Sequence, residues 1–195
     1  MKSETAKERL ISASLQLMLS RGYAATSVDD ICSAAQVSKG SFYHFFKSKE
    51  ELGLAMLDDF FRQSREATMA GSFNQEPDPV KRLRGYLHFI EENAETFWEK
   101  GCILGNFANE LSNTHPIMRE RVSLILQRVT ESMAERFAPI QQKYPDREEL
   151  SAIRLAELLV SLIEGALVLS RAHDDWSYLT RALKGFRLYT ESLLN

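Results

Sequence analysis

A chain of 195 residues, 44% apolar and 26% charged, has the material for a packed core and is not an intrinsically disordered segment. Its two cysteines, Cys32 and Cys102, exclude a disulfide framework and point to a reducing compartment, the cytoplasm. The formal net charge of −3 argues at first against nucleic acid, whose binders usually carry a basic surface. The charge is uneven, however. Residues 1–50 carry seven Lys/Arg against five Asp/Glu, net +2, and residues 51–195 are net −5. That asymmetry points to a division of labour between a mildly basic segment, 1–50, and an acidic one, 51–195.

In chain order, Met1 to Arg9 is too polar for a secretory signal. Thr5-Ala6-Lys7-Glu8 is a capping box, and Leu10, Ser14, Leu17 and Met18 follow it at helical spacing. Gly22 suits the end of this first helix. Thr26-Ser27 reads as the N-cap of a second helix, with Asp29 and Asp30 in its first turn and Val28, Ile31, Cys32 and Ala35 on one apolar face. Gln36-Val37-Ser38 offers a break and a fresh N-cap. A third helix spans about 38–45, and Ser48-Lys49-Glu50-Glu51 is a second capping box opening a fourth. Residues 71–79 form the plainest loop. Helices are then expected over about 79–99, 102–112, 116–139, 147–172 and 176–194. No stretch alternates as a strand, and no apolar run approaches the roughly 18 residues of a membrane span. The reading is all-α, with about nine helices.

The second and third helices make a helix-turn-helix pattern, which is weak evidence alone. The third has unusual composition. Ser38-Lys39-Gly40-Ser41-Phe42-Tyr43-His44-Phe45-Phe46 gathers hydroxyls, a lysine, an imidazole and four aromatics. Glycine in so short a helix costs about 1 kcal/mol. Close approach to something bulky, such as the floor of a major groove, is one reason to keep it. Tyr43 and His44 can donate to phosphates, and Lys49 adds a charge. Phe42, Phe45 and Phe46 read as core. Cys32 reads as a small buried hydrophobe.

These residues resemble the TetR family of bacterial transcriptional regulators. The resemblance is carried by Arg21-Gly22-Tyr23-Ala24-Ala25-Thr26-Ser27-Val28-Asp29-Asp30-Ile31, by Ala34 to Phe45, and by Lys47-Ser48-Lys49-Glu50, within about residues 5–57. It implies an N-terminal DNA-binding domain and a helical C-terminal domain that binds effectors and dimerises. By position it implies operator contacts from Thr26 (as the helix N-cap), Ser38, Lys39, Gly40, Ser41, Tyr43, His44 and Lys49. Phe42 departs from the family pattern, where tyrosine is frequent. Lys100 to Asn106 resembles a short stretch of one subgroup that contains reactive-electrophile sensors.

The C-terminal domain is less informative. An effector cavity among its aromatics would be mostly apolar, and His88, Phe89, Trp98, Cys102, Asn106 and Phe107 are the candidate contacts, with Glu110 a further polar anchor. No charge cluster along the sequence announces an anionic ligand, so a small apolar or aromatic effector is expected. Cys102 has two readings: a packed cysteine, or a thiol sensor of oxidants or electrophiles. Between about 147 and 172, Ile153, Ala156, Leu159, Val160, Ile163, Ala166 and Leu167 form one apolar stripe, and Leu155, Leu158, Leu162 and Leu169 a second. A helix apolar on two sides needs two covers, so a homodimer through the last two helices is expected. Neither metal-ligand spacing nor a catalytic motif appears, so no cofactor, no metal and no enzyme is expected. The expected function is a ligand-responsive repressor on a palindromic operator. An activator, and an interaction module that kept the fold without DNA binding, are the alternatives.

Overall fold

The structure, a computed structural model, describes residues 4–194; the polar Met1-Lys2-Ser3 start and Asn195 lie outside the described residues. The described residues form ten α-helices and no strand. The helices are α1 (Ala6–Arg21), α2 (Val28–Ala35), α3 (Lys39–Phe45), α4 (Lys49–Met69), α5 (Pro79–Glu92), α6 (Ala94–Trp98), α7 (Ile103–Leu111), α8 (Pro116–Lys143), α9 (Ala152–His173) and α10 (Ser177–Leu194). Two compact units result. The first comprises Met1–Ser64 and Cys102–Leu126, the second Arg65–Gly101 and Gln127–Asn195. Compactness thus divides the chain elsewhere than the charge boundary at residue 50, because α7 and the start of α8 join the first unit.

Local chemistry sets most helix starts. Thr5 Oγ accepts from the Glu8 amide while the Glu8 carboxylate accepts from the Thr5 amide, the expected capping box. Gly22 ends α1 at φ 87°, a left-handed conformation that glycine adopts at least cost. The N-cap of α2 is Ser27, not Thr26, and with Asp30 it forms a full capping box. Thr26 is buried, and its hydroxyl donates to the Gly22 carbonyl at 2.7 Å. The Ser48 box is only half formed. Ser48 Oγ accepts from the Glu51 amide, but the Glu51 carboxylate takes the Lys47 amide at 2.7 Å.

Three boundaries differ from the sequence reading. The helix expected over 79–99 is two, parted at Asn93, whose backbone leaves the helical region at φ −100°, ψ 10° while its side-chain amide donates to the Phe89 carbonyl at 2.8 Å. Helix α8 continues past Pro139 to Lys143, carried by Ile140, which is fully buried. Helix α9 starts at Ala152, after a 3-10 turn at Glu148–Leu150. Within the loop before α5, a 3-10 turn at Ser72–Gln75 lets Asn74 donate to the carbonyls of Thr68, Met69 and Gly71, closing the end of α4.

The core of the first unit gathers Leu10, Met18, Ile31, Phe42, Leu52, Met56 and Phe107. Phe42 and Phe46 are buried as expected, while Phe45 is only half-buried. In the second unit α9 packs against α10, and α10 against α5. Arg187 on α10 donates to Glu91 on α5 at 2.9 Å, and both side chains are largely buried. Among the described residues of this unit, Leu155, Ala156, Leu159, Ile163, Ala166 and Leu167 of α9 face inward. Ile153, Leu158, Val168 and Leu169 face solvent. The two expected stripes therefore exist, but Ile153 and Leu155 exchange places.

Candidate nucleic-acid interface

Helices α1, α2 and α3 pack on one another, which fixes the orientation of α3. Its N-cap is Ser38, whose hydroxyl oxygen accepts from the Ser41 amide at 3.1 Å. Phe42 anchors the inner side with no exposure, edge-on to Tyr43 at 5.1 Å. Ser38, Lys39, Gly40, Tyr43 and His44 are exposed, and Ser41 is half-buried. Seven residues thus present a face of hydroxyls, an imidazole and a lysine on a rigid support. Nothing in the chain crowds Gly40, since an added Cβ would meet only Ser38 Oγ at 3.9 Å. The missing side chain therefore serves no internal packing.

The positive charges are mostly engaged inside the unit. Arg9 Nε donates to the Ala35 carbonyl at 3.0 Å, tying α1 to the end of α2. Arg21 pairs with Asp30 at 2.8 Å, and Asp30 is held at about 2, chiefly by its hydrogen bonds from Ser27. Lys39 pairs with Asp29 at 2.7 Å, which raises its pKa. Exposed pairs of this kind contribute about 0–1 kcal/mol, so Lys39 exchanges partners at little cost.

Lys49 departs most from its expected role. Its ammonium donates to the carbonyls of Tyr23 at 2.8 Å and Thr26 at 2.9 Å and lies 4.1 Å from the centre of the Tyr23 ring. Burial lowers its pKa, with Glu110 acting in the opposite direction. Lys49 is a clamp on the turn between α1 and α2 rather than a free phosphate contact. Glu110 on α7 grips the same turn from the other side, accepting from the amides of Tyr23 at 2.9 Å and Ala24 at 2.7 Å. Tyr23 between them is buried, and its hydroxyl is pushed up to about 12, first by burial and then by Glu50 and Glu110. Exposed Lys47, just before α4, has its ammonium without a described partner and is the cation that sequence reasoning passed over.

These contacts separate two lysines by measurement. Lys49→Met is expected to destabilise the protein by about 1–3 kcal/mol, since two buried-side carbonyls lose a charged donor. Lys47→Met is expected to leave the melting temperature unchanged and to reduce the salt slope of DNA binding by about one per protomer. Equal melting temperatures for the two variants would refute the assignment.

The six expected effector residues are divided between the two units. His88 is exposed, and Phe89 packs at a tilt against Phe73 at 5.3 Å and Phe97 at 5.6 Å. Those residues and Trp98, at 5.6 Å from Phe97, belong to the second unit. Cys102, Asn106 and Phe107 belong to the first, where Phe107 packs edge-on against Tyr23 at 5.7 Å. Their aromatic character reports core packing. Among the described residues no cluster of His, Cys, Asp or Glu is placed to hold a metal ion, and no helix is long and apolar enough to cross a membrane.

Helices α2 and α3, joined by a short turn and with the outer face of α3 polar and exposed, form a helix-turn-helix. The family model for bacterial regulatory proteins of the tetR family matches residues 10–56. The model for the C-terminal domain of LmrA/YxaF-like transcriptional regulators matches residues 79–184. The HTH-type transcriptional repressor DhaR of Mycobacterium sp. (strain GP1) is 32% identical over 162 residues, 83% of this chain and 80% of that protein. An HTH-type transcriptional regulator in the lacX 3′ region of Lactococcus lactis is 27% identical over 174 residues, 89% of this chain and 87% of that one. The crystal structure of a TetR transcriptional regulator from Chloroflexus aurantiacus superposes with a TM-score of 0.78 at 30% identity, covering 94% of this chain and 93% of that one. The chain belongs to the TetR family of transcriptional regulators, and is a regulator and not an enzyme.

Proposed function

We propose that this protein is a homodimeric repressor, seated on a palindromic operator by two recognition helices and released by a small effector. The observation that carries the reading is the outer face of α3, polar and exposed above a buried Phe42. Residues 1–50 read DNA, and 51–195 dimerise and bind the effector. Ser38, Lys39, Gly40 and Ser41 approach bases and backbone, and Tyr43, His44 and Lys47 donate to phosphates. Thr26 and Lys49 act by holding the α1–α2 turn. Such a regulator works in the cytoplasm. An effector releases DNA by favouring a state whose two helices are mis-spaced for half-sites about 34 Å apart. Reciprocity then requires operator DNA to weaken effector binding by the same factor.

The test is fluorescence anisotropy on the DNA upstream of its own coding sequence. With Lys39 and Lys47 of each protomer neutralising about four phosphates per dimer, affinity is expected to fall roughly 10²-fold between 50 and 200 mM salt. Absence of sequence-specific binding would favour an interaction module instead. Gly40→Ala provides a sharper check. It is expected to stabilise α3 by up to about 1 kcal/mol, because its Cβ has open space. The same methyl group is expected to weaken operator binding. A variant that is both more stable and unimpaired on DNA would remove Gly40 from the interface.

One observation favours the thiol-sensor reading: Cys102 stands at the N-terminus of α7, as its N-cap. Against it, the residue is only 8% exposed, which shields it from reagents in this conformation. Cys102→Ser is expected to keep operator binding and its release. Loss of an electrophile response in that variant would reverse the ranking.

A further inference from the structure

The second unit contains a cavity of about 320 Å³, at the lower end of the range for small-molecule pockets. Three helices each bring an arginine to it: Arg65 from α4, Arg82 from α5 and Arg136 from α8. One carboxylate, Glu135, stands with them. Among the described residues, none of these three guanidinium groups has a carboxylate within ion-pair distance. Three cations beside a single anion repel one another unless something negative joins them.

Arg82 shows the deficit directly. One of its terminal nitrogens makes a long contact of 3.4 Å to the Pro77 carbonyl, and its Nε is buried with no acceptor. A buried cationic N–H without an acceptor is destabilising and rare. Arg136 lies over the rings of Tyr86 and Phe73, 4.9 and 5.6 Å from their centres, and donates to Asn74 Oδ1 at 3.2 Å. Stacking of this kind fixes the guanidinium plane and leaves its remaining edge N–H groups to bind. Burial pushes the Tyr86 hydroxyl up to about 12, so it stays protonated and does not repel an anion.

We propose that this cavity binds a small organic monoanion: a carboxylate joined to an aromatic or apolar body. Arginine forks match a carboxylate bidentately. Phe73 and Tyr86 provide the apolar walls, and Glu135 opposes a second negative charge. The sequence expectation of a small apolar or aromatic effector gains a carboxylate here, since the arginines come from positions 65, 82 and 136 and meet only in the fold. None of the six residues that the sequence offers as effector contacts, His88 to Phe107, lines this cavity. Arg65 and Met69 sit near the end of the helix whose first residue, Lys49, clamps the α1–α2 turn. As an effector site, the cavity rests on the ligand-responsive reading; as a binding site it does not.

The experiment is isothermal titration of the full chain with benzoate, benzamide and phenyl phosphate. Benzoate is expected to bind saturably and at least about tenfold more tightly than neutral benzamide. Arg82→Gln and Arg65→Gln are each expected to weaken benzoate about tenfold, while Arg84→Gln, which removes the same charge from α5 outside the cavity, changes it less than about twofold. Arg65 is exposed, so its substitution does not put folding at risk. Equal binding of benzamide, an equal loss in Arg84→Gln, or no saturable binding overturns the proposal. Tighter binding of phenyl phosphate overturns the carboxylate assignment. Operator anisotropy with benzoate separates the two readings. Binding with release of DNA supports both; binding without release supports the site and sinks its role as the effector site.

Discussion

The double substitution Leu158→Asp/Val168→Asp is expected to turn a homodimer into monomers and to cut operator affinity by about 10²–10⁴-fold, the avidity that linking two half-site binders supplies. Both side chains are exposed in the single chain, at 40% and 61%, so aspartate there leaves the protomer folded. They belong to one outward stripe of α9 with Leu169, and α10 adds Leu188 and Tyr189. Each stripe has a glycine at its centre. An added Cβ at Gly165 or Gly185 would meet nothing within 4 Å, so both helices offer a flat approach to another helix. An exposed apolar patch of this breadth marks an interface. Across a two-fold axis the substitutions would bury four carboxylates without partners, which costs several kcal/mol. Sedimentation gives the mass and anisotropy the operator affinity. A variant that remains dimeric would place the interface elsewhere. A monomer with undiminished affinity would make dimerisation irrelevant to DNA binding.

The recognition helix is legible in the sequence because its chemistry is contiguous. Ser38 to Phe46 contains the cap, the buried anchor and the polar face, and periodicity alone sorts most of them. The capping boxes are legible for the same reason. Thr26 and Ser27 show where this fails: two adjacent hydroxyls are equivalent locally, and only the burial of Thr26 against Gly22 decides which caps α2. Lys49 reads as a free cation in the sequence because its acceptors lie 23 and 26 residues away. Glu110 is separated from Tyr23 by 87 residues, and no local signal marks it. The arginine cavity is the extreme case, assembled from three helices whose residues carry no shared motif. In α9 the pattern reveals two apolar faces but not which one turns inward, so it places Ile153 and Leu155 the wrong way round.

Positions 42 and 43 are neighbours with opposite duties, and one pair of variants tests the whole interface. Phe42 has no exposure and packs near Phe46, with ring centres 6.0 Å apart. Phe42→Ala is expected to cost about 3–5 kcal/mol through lost burial and the cavity left behind. For a chain of this size that lowers the melting temperature by roughly 10 °C. Operator binding is lost with it, because α3 then has no seat on α1 and α2. Tyr43 is 57% exposed, and its removal leaves the core untouched. Tyr43→Ala is expected to shift stability by less than about 0.5 kcal/mol while weakening operator binding, and Tyr43→Phe isolates the share that belongs to the hydroxyl. Phosphate contact predicts that this loss is nearly uniform across operator sequences and leaves the salt slope unchanged, because the hydroxyl is neutral, whereas a base contact would relax specificity at one position. Calorimetry and anisotropy on the same samples decide it. If Phe42→Ala melted like the parent, or if Tyr43→Ala bound DNA like the parent, the division of α3 into a buried anchor and a reading face would be wrong.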